Sequence, residues 1–240
     1  MTTFSDVLTR RLRADAARPL ITFYDEATGE RVELSGATYA NWVAKASSLL
    51  VEEHDLERGQ VLVVDLPSHW LGTVFLGAAW TIGLAVAGPD DHPDPAAVVC
   101  GPGGLDRWGG LGDRLPVLAC SLRPLGVRFA DPLPAGVHDV GLEIWSQPDA
   151  FTAWDAPEAS DAALVSPAVS QGEVWGAAAA GSLLTDGGRL LSEANPASPP
   201  DVATFTEPLA RGGSLVLVAH AEPVRVEAIA VAERVTARFP

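Results

Sequence analysis

Several groups of residues in this chain have types that could do chemistry. A run of small and hydroxyl residues, SPAVSQGEVWGAAAAG at positions 166–181, follows the short apolar run DAALV. A Gly- and Ser-bearing turn after a strand can aim several backbone N–H groups at phosphate oxygens. Ser166, Ser170 and His220 offer the hydroxyl and imidazole of a hydrolase, but no Gly-x-Ser-x-Gly elbow is present to present the serine. VVCGPGGLDRWGG supplies Gly101 and Gly103, the first two glycines of a dinucleotide fingerprint; Asp106 takes the third place, so a turn-rich connection is expected. PDDHPDP gathers Asp90, Asp91, His92 and Asp94 as donors for a divalent cation. Its prolines stiffen it and its spacing fits neither a calcium loop nor a zinc pair, which predicts a solvated loop. Cys100 and Cys120 close the apolar runs AAVVC and LPVLAC without an electropositive neighbour, as buried thiols do. His54, His69 and His138 stand alone in sequence and are expected at surfaces or helix ends, and no metal site is expected.

Composition narrows the classes. The chain has 240 residues, enough for one large domain with a sizeable core. A formal net charge of −15 opposes nucleic acid as a partner, because phosphate neutralisation needs a basic footprint. Lys45 is the single lysine beside fifteen arginines, so any mechanism that needs an ammonium has one candidate. The first twenty residues carry arginines where a secretory segment needs an apolar stretch. With only two cysteines, no disulfide framework is expected and a cytoplasmic location fits. Residues 70–89, WLGTVFLGAAWTIGLAVAGP, lack charge, but glycines and threonines dilute them and no Lys or Arg anchors the flanks. A buried helix, capped by Ser68 and ended by Gly83, followed by a short strand is expected there rather than a membrane span.

The elements that must position these residues alternate. PLITFYDEATGERVELSG predicts two strands joined by a turn at Thr28 and Gly29. TYANWVAKASSLLVEEH places Tyr39, Trp42, Val43, Ala46, Leu49 and Leu50 at helical intervals, facing a core. RGQVLVVDLP, AAVVC, LPVLAC, DAALV and SLVLVAH read as strands, and VRVEAIAVAERVTARF as a closing helix. The pattern predicts an α/β fold of mixed sheets covered by helices, as a single domain over 1–240 with a lobe boundary near 150–160, at the end of the stretch 88–160 where Pro and Gly cluster. No internal repeat is present.

Residues 18–86, with their Thr38-Tyr39 helix start and GQVLVVDLP strand, resemble the opening of the AMP-binding, adenylate-forming superfamily of acyl-CoA synthetases, luciferases and peptide-synthetase adenylation domains. LARGGSLVLV and EAIAVAERVTARFP are similar to that superfamily's strand and helix after its phosphate loop. Within it, the chain is most similar to an actinobacterial-type family distantly related to the enzymes. The resemblance implies the large N-terminal domain of adenylate-forming enzymes.

Laid on that superfamily's phosphate loop, residues 167–176 form a degenerate version. Ser170 keeps a hydroxyl and Gly172 and Gly176 keep two glycines, while Val169 replaces a glycine, Val174 the proline and Trp175 the lysine. Glu173 adds an anion where phosphate charge would sit. A β-branched residue resists the positive φ that such a loop uses. LLSEANPASPP lacks the aromatic residue and histidine implied after the loop, and the family's later motifs and C-terminal domain would lie beyond residue 240. Lys45, on the first amphipathic helix, does not replace the catalytic lysine. A non-catalytic protein acting through a protein partner, self-association or regulation is therefore expected, with no cofactor and no membrane. Two alternatives stay open: a module that keeps affinity for ATP, AMP, an acyl-adenylate or CoA, and an acyl-CoA synthetase-like ligase. Trp145, Trp154 and Trp175 either close the old ligand cleft together or pack as ordinary core.

Overall fold

A helix that is apolar on every side has to lie inside the protein, and residues 70–82 meet that demand: all but Thr81 are buried. The structure, a computed structural model, describes residues 2–91, 94–199 and 201–239. Its elements are α1 (Phe4–Asp15), β1 (Pro19–Asp25), β2 (Glu30–Ser35), α2 (Gly36–Ser48), a π-helical turn (Leu49–Glu53), β3 (Val61–Asp65) and α3 (Trp70–Ile82). There follow β4 (Ala85–Ala87), β5 (Ala97–Cys100), α4 (Leu105–Trp108), β6 (Val117–Ala119), β7 (Val137–Asp139), α5 (Val140–Glu143), β8 (Ala162–Leu164) and β9 (Val169–Ser170). The chain closes with α6 (Gln171–Ala180), β10 (Arg189–Ser192), α7 (Ala203–Ala210), β11 (Ser214–Ala219), α8 (Pro223–Ala232) and β12 (Ala237–Arg238).

Two mixed sheets result. One has five strands in the order β12-β10-β11-β1-β2, the other seven in the order β7-β6-β5-β3-β4-β8-β9. The pairs β1–β2 and β8–β9 are antiparallel and the rest are parallel. Strand alternation divides the side chains between two faces. In β11, Leu215 and Leu217 join the main core, while Val216 and Val218 meet Val226 and Ile229 of α8 outside. In β5, Ala97 and Val99 join the main core, while Val98 and Cys100 pack on the outer face with Trp108. The main core therefore holds strand residues of both sheets together with α1, α2, α3, α6 and α7.

The strands and helices read from the sequence are present, including the helix-then-strand over residues 70–89. Gly83 ends α3 with φ +91°, as expected, but His69 and not Ser68 caps its start: His69 Nδ1 accepts from the Leu71 N–H at 3.2 Å. The closing helix stops at Ala232, and β12 continues in its place beside β10. Among the described residues, no helix is long and apolar enough to cross a membrane. Near the expected lobe boundary, Arg58 holds Asp161 through two bonds of 2.8 Å and Asp155 through one of 2.9 Å, tying the segment before β8 to the turn before β3.

Candidate functional site

In a parallel sheet, ligands gather at the carboxyl ends of the strands. The connection from β8 to β9 leaves that end, but it holds only the four residues 165–168. β9 then runs back antiparallel, with Ser170 opposite Ala162, so α6 begins at the amino end of β8. The loop expected over 167–176 is corrected here: Gly172, Glu173, Trp175 and Gly176 lie in α6, not in a turn. The signal that foretells this is Ser-x-x-Glu at 170–173, a capping box. Glu173 Oε2 accepts from the Ser170 N–H and hydroxyl, each at 2.7 Å, and Ser170 Oγ accepts from the Glu173 N–H at 3.3 Å. The Ser170 bonds hold the Glu173 carboxyl below its usual range, so at neutral pH an anion covers the helix N-terminus.

The rest of α6 serves packing. Gln171 is fully buried; its Oε1 accepts from the Phe4 N–H at 2.9 Å and its Nε2 donates to the Trp80 carbonyl at 2.8 Å. Trp175 is 2% exposed, its ring 5.9 Å from Phe4 and 5.7 Å from Trp80. Trp145 instead packs on Trp42 at 5.3 Å, and Trp154 is 99% exposed. The three tryptophans therefore do not close one cleft together. On the other side of α6 an open apolar cleft of about 340 Å³ lies against the β8–β9 hairpin and α7, lined by Leu164, Val169, Val174, Ala177 and Val202, with Glu173 and Glu207 on its wall. Glu207 accepts from the Leu184 N–H at 3.2 Å.

The remaining candidates take structural places. Ser170 Oγ is engaged with Glu173, and His220 Nδ1 pairs with Asp25 Oδ1 at 2.8 Å. Cys100 and Cys120 are buried on opposite faces of the seven-stranded sheet. Burial, with Asp65, pushes the Cys100 thiol up to about 12, and burial raises Cys120 well above its ordinary value. Gly101 and Gly103 sit in the turn leading into α4, as expected. Asp91 accepts from the Gly88 N–H at 3.1 Å and Asp90 pairs with Arg107 at 2.9 Å; His92 lies outside the described residues. Lys45 donates to the Gln147 carbonyl and pairs with Asp149 at 3.1 Å. The histidines take surface or helix-end places as expected: His54 ends the π-helical turn, His69 caps α3 and His138 is partly exposed. His54 and His138 are not alone in space, however: their rings meet at 4.4 Å beside Glu143, a juxtaposition that no sequence spacing reveals.

No protein-family model matches the chain. A curated protein of Mycobacterium tuberculosis (strain ATCC 25618 / H37Rv), described as a TIGR03089 family protein, is 35% identical over 235 residues, 96% of this chain and 95% of that protein. Among solved structures, the acyl-CoA synthetase of Brucella canis superposes with a TM-score of 0.81 at 15% identity, over 99% of this chain and 47% of its own. The N-terminal domain of FACL13 from Mycobacterium tuberculosis gives 0.74 at 14% identity, over 98% of this chain and 62% of its own. A putative long-chain-fatty-acid CoA ligase from Rhodopseudomonas palustris CGA009 gives 0.74 at 17%, over 99% and 62%. The chain thus spans between 47% and 62% of these three structures, and the likeness to them is one of fold. By its similarity along nearly the whole length of the mycobacterial protein, the chain belongs to the TIGR03089 family, built on the fold of AMP-binding acyl-CoA synthetase N-terminal domains.

Proposed function

We propose that this protein is a non-catalytic user of the acyl-CoA synthetase N-terminal fold, acting through contacts with a protein partner or a second copy of itself rather than by turnover, in the cytoplasm. One observation carries the reading: the segment that would grip phosphate is a four-residue turn and the short strand β9, leading into a helix whose N-terminus is covered by the Glu173 carboxylate. A nucleotide's anionic tail approaching that end meets like charge instead of free N–H groups. Lys45, the single lysine, is held by Gln147 and Asp149. The test is ATP–pyrophosphate exchange with magnesium and a panel of short, long and aromatic carboxylic acids. Exchange at background for every acid is expected; exchange above background with any of them overturns the proposal.

The apolar cleft beside α6 favours a second reading, a binding module without turnover. Its wall suits the acyl part of a ligand, while Glu173 and Glu207 oppose phosphates. Selective binding raises apparent stability by mass action. A thermal-shift series with ATP and magnesium, AMP, CoA and a non-hydrolysable acyl-adenylate separates the readings: a rise with the acyl-adenylate favours the module, and no rise favours the contact protein.

A further inference from the structure

We propose that His54, His138 and Glu143 form a binding site for a single divalent transition-metal ion of the zinc class. The three donor groups come from separate elements. His54 ends the π-helical turn after α2, His138 lies in β7, and Glu143 ends α5, the short helix that follows β7. Glu143 Oε1 is 3.1 Å from His138 Nδ1, and its Oε2 is 3.5 Å from His54 Nε2. One donor atom from each residue lies within 4.8 Å of the others. A tetrahedral zinc with bonds of about 2.0–2.1 Å holds its ligand atoms roughly 3.3 Å apart, so small rotamer adjustments close the set around one ion.

A second observation points the same way. The His54 side chain is 4% exposed, and its Nε2 has no hydrogen-bond partner although it faces the Glu143 carboxylate. A buried polar atom without a partner costs free energy, and a metal bond would supply the partner.

The surroundings hold the donors in place. Asp139 Oδ1 accepts from the Gly141 N–H and its Oδ2 from the Phe129 N–H, each at 2.9 Å, which fixes α5 on β7. Gln147 Nε2 donates to Glu53 Oε1 at 3.2 Å, and Lys45 pairs with Asp149 at 3.1 Å, docking the segment after α5 onto α2 and its π-helical turn. A π-helical turn in a helix often marks a functional position. His138 and Glu143 are about a third exposed, which gives an ion a path in and leaves a fourth position to water.

The test uses the full chain without a polyhistidine tag, stripped with EDTA, then dialysed to equilibrium against zinc chloride, with cobalt as a spectroscopic substitute. One zinc per chain and visible cobalt absorption of a four-coordinate site are expected. His138→Ala and Glu143→Gln, both at partly exposed positions, are expected to weaken zinc binding at least roughly tenfold while leaving the far-ultraviolet dichroism unchanged. Absence of stoichiometric zinc in the unaltered chain, or undiminished binding in both folded variants, overturns the proposal. Should either variant unfold, His138→Gln and Glu143→Asp replace them, with loss of the cobalt signal as the readout.

Discussion

His69 shows how one side chain can carry a measurable pH dependence. It is 3% exposed, its Nδ1 accepts from the Leu71 N–H, and the ring lies 4.7 Å from Phe23. Burial lowers its pKa to about 4, only partly offset by Asp25. The unfolded chain titrates at the ordinary value, about 6.5. Between those two values the unfolded state holds a proton that the folded state refuses. The contribution to stability is therefore complete above pH 6.5 and lost as pH falls toward 4. From pH 7.5 to pH 4.5 the loss is about 2–3 kcal/mol. His54, lowered in the same direction, and the carboxylates also act on acidification. The informative quantity is the difference from His69→Asn, which keeps an N-cap acceptor but cannot titrate. Urea midpoints at the two pH values should converge for the variant; an equal acid loss in both chains would sink the assignment.

At the scale of elements, legibility followed the strength of the local signal. α3 and β4 were readable because residues 70–89 combine an uncharged run with a glycine stop. α6 was hidden because Gly172 and Gly176 resemble loop residues, although the Ser170 and Glu173 spacing carried its start. The His54, His138 and Glu143 cluster was not readable, since β7 reaches the π-helical turn only through tertiary packing. Glycine itself separates two roles here. A Cβ on Gly77 would lie 2.4 Å from Tyr39 Oη and 2.8 Å from both Phe4 and Val43, so α2 and α3 pack closely only with glycine there. Tyr39 also donates to the Thr73 carbonyl at 2.8 Å. Overpacking costs about 1–3 kcal/mol, which outweighs a helix-propensity gain of about 1 kcal/mol once the Tyr39 bond is disturbed. Gly77→Ala is therefore expected to lower stability by about 1–2 kcal/mol. Gly176→Ala, whose Cβ would meet nothing within 4 Å, is expected to raise it by about 0.5–1 kcal/mol. Chemical denaturation of both variants checks the pair, and equal signs would refute the packing argument.

For the whole molecule, the Pro- and Gly-rich stretch over 88–160 suggests two lobes, whereas the packing argues for one cooperative unit. Leu62, Val86 and Val99 of the seven-stranded sheet share a core with Leu20, Ile21 and Leu215 of the five-stranded sheet. α3 touches strands of both sheets, and Gln171 joins α1, α3 and α6. Parting the sheets would expose Trp80, Trp175, Phe4 and Phe205, each 2% exposed or less. Burial of such large side chains stabilises by about 1.5–3 kcal/mol each, so a state with one sheet folded and the other unfolded loses most of what holds it. Unfolding is expected to be a single transition. Tryptophan fluorescence reports on seven side chains, of which Trp70, Trp80, Trp108 and Trp175 are buried, and far-ultraviolet dichroism reports on all helices and strands. The two curves in urea should coincide, and the calorimetric and van't Hoff enthalpies should agree. Two separated transitions would instead mean that the segment near 150–160 divides units able to fold apart, and that the shared core is weaker than its burial implies.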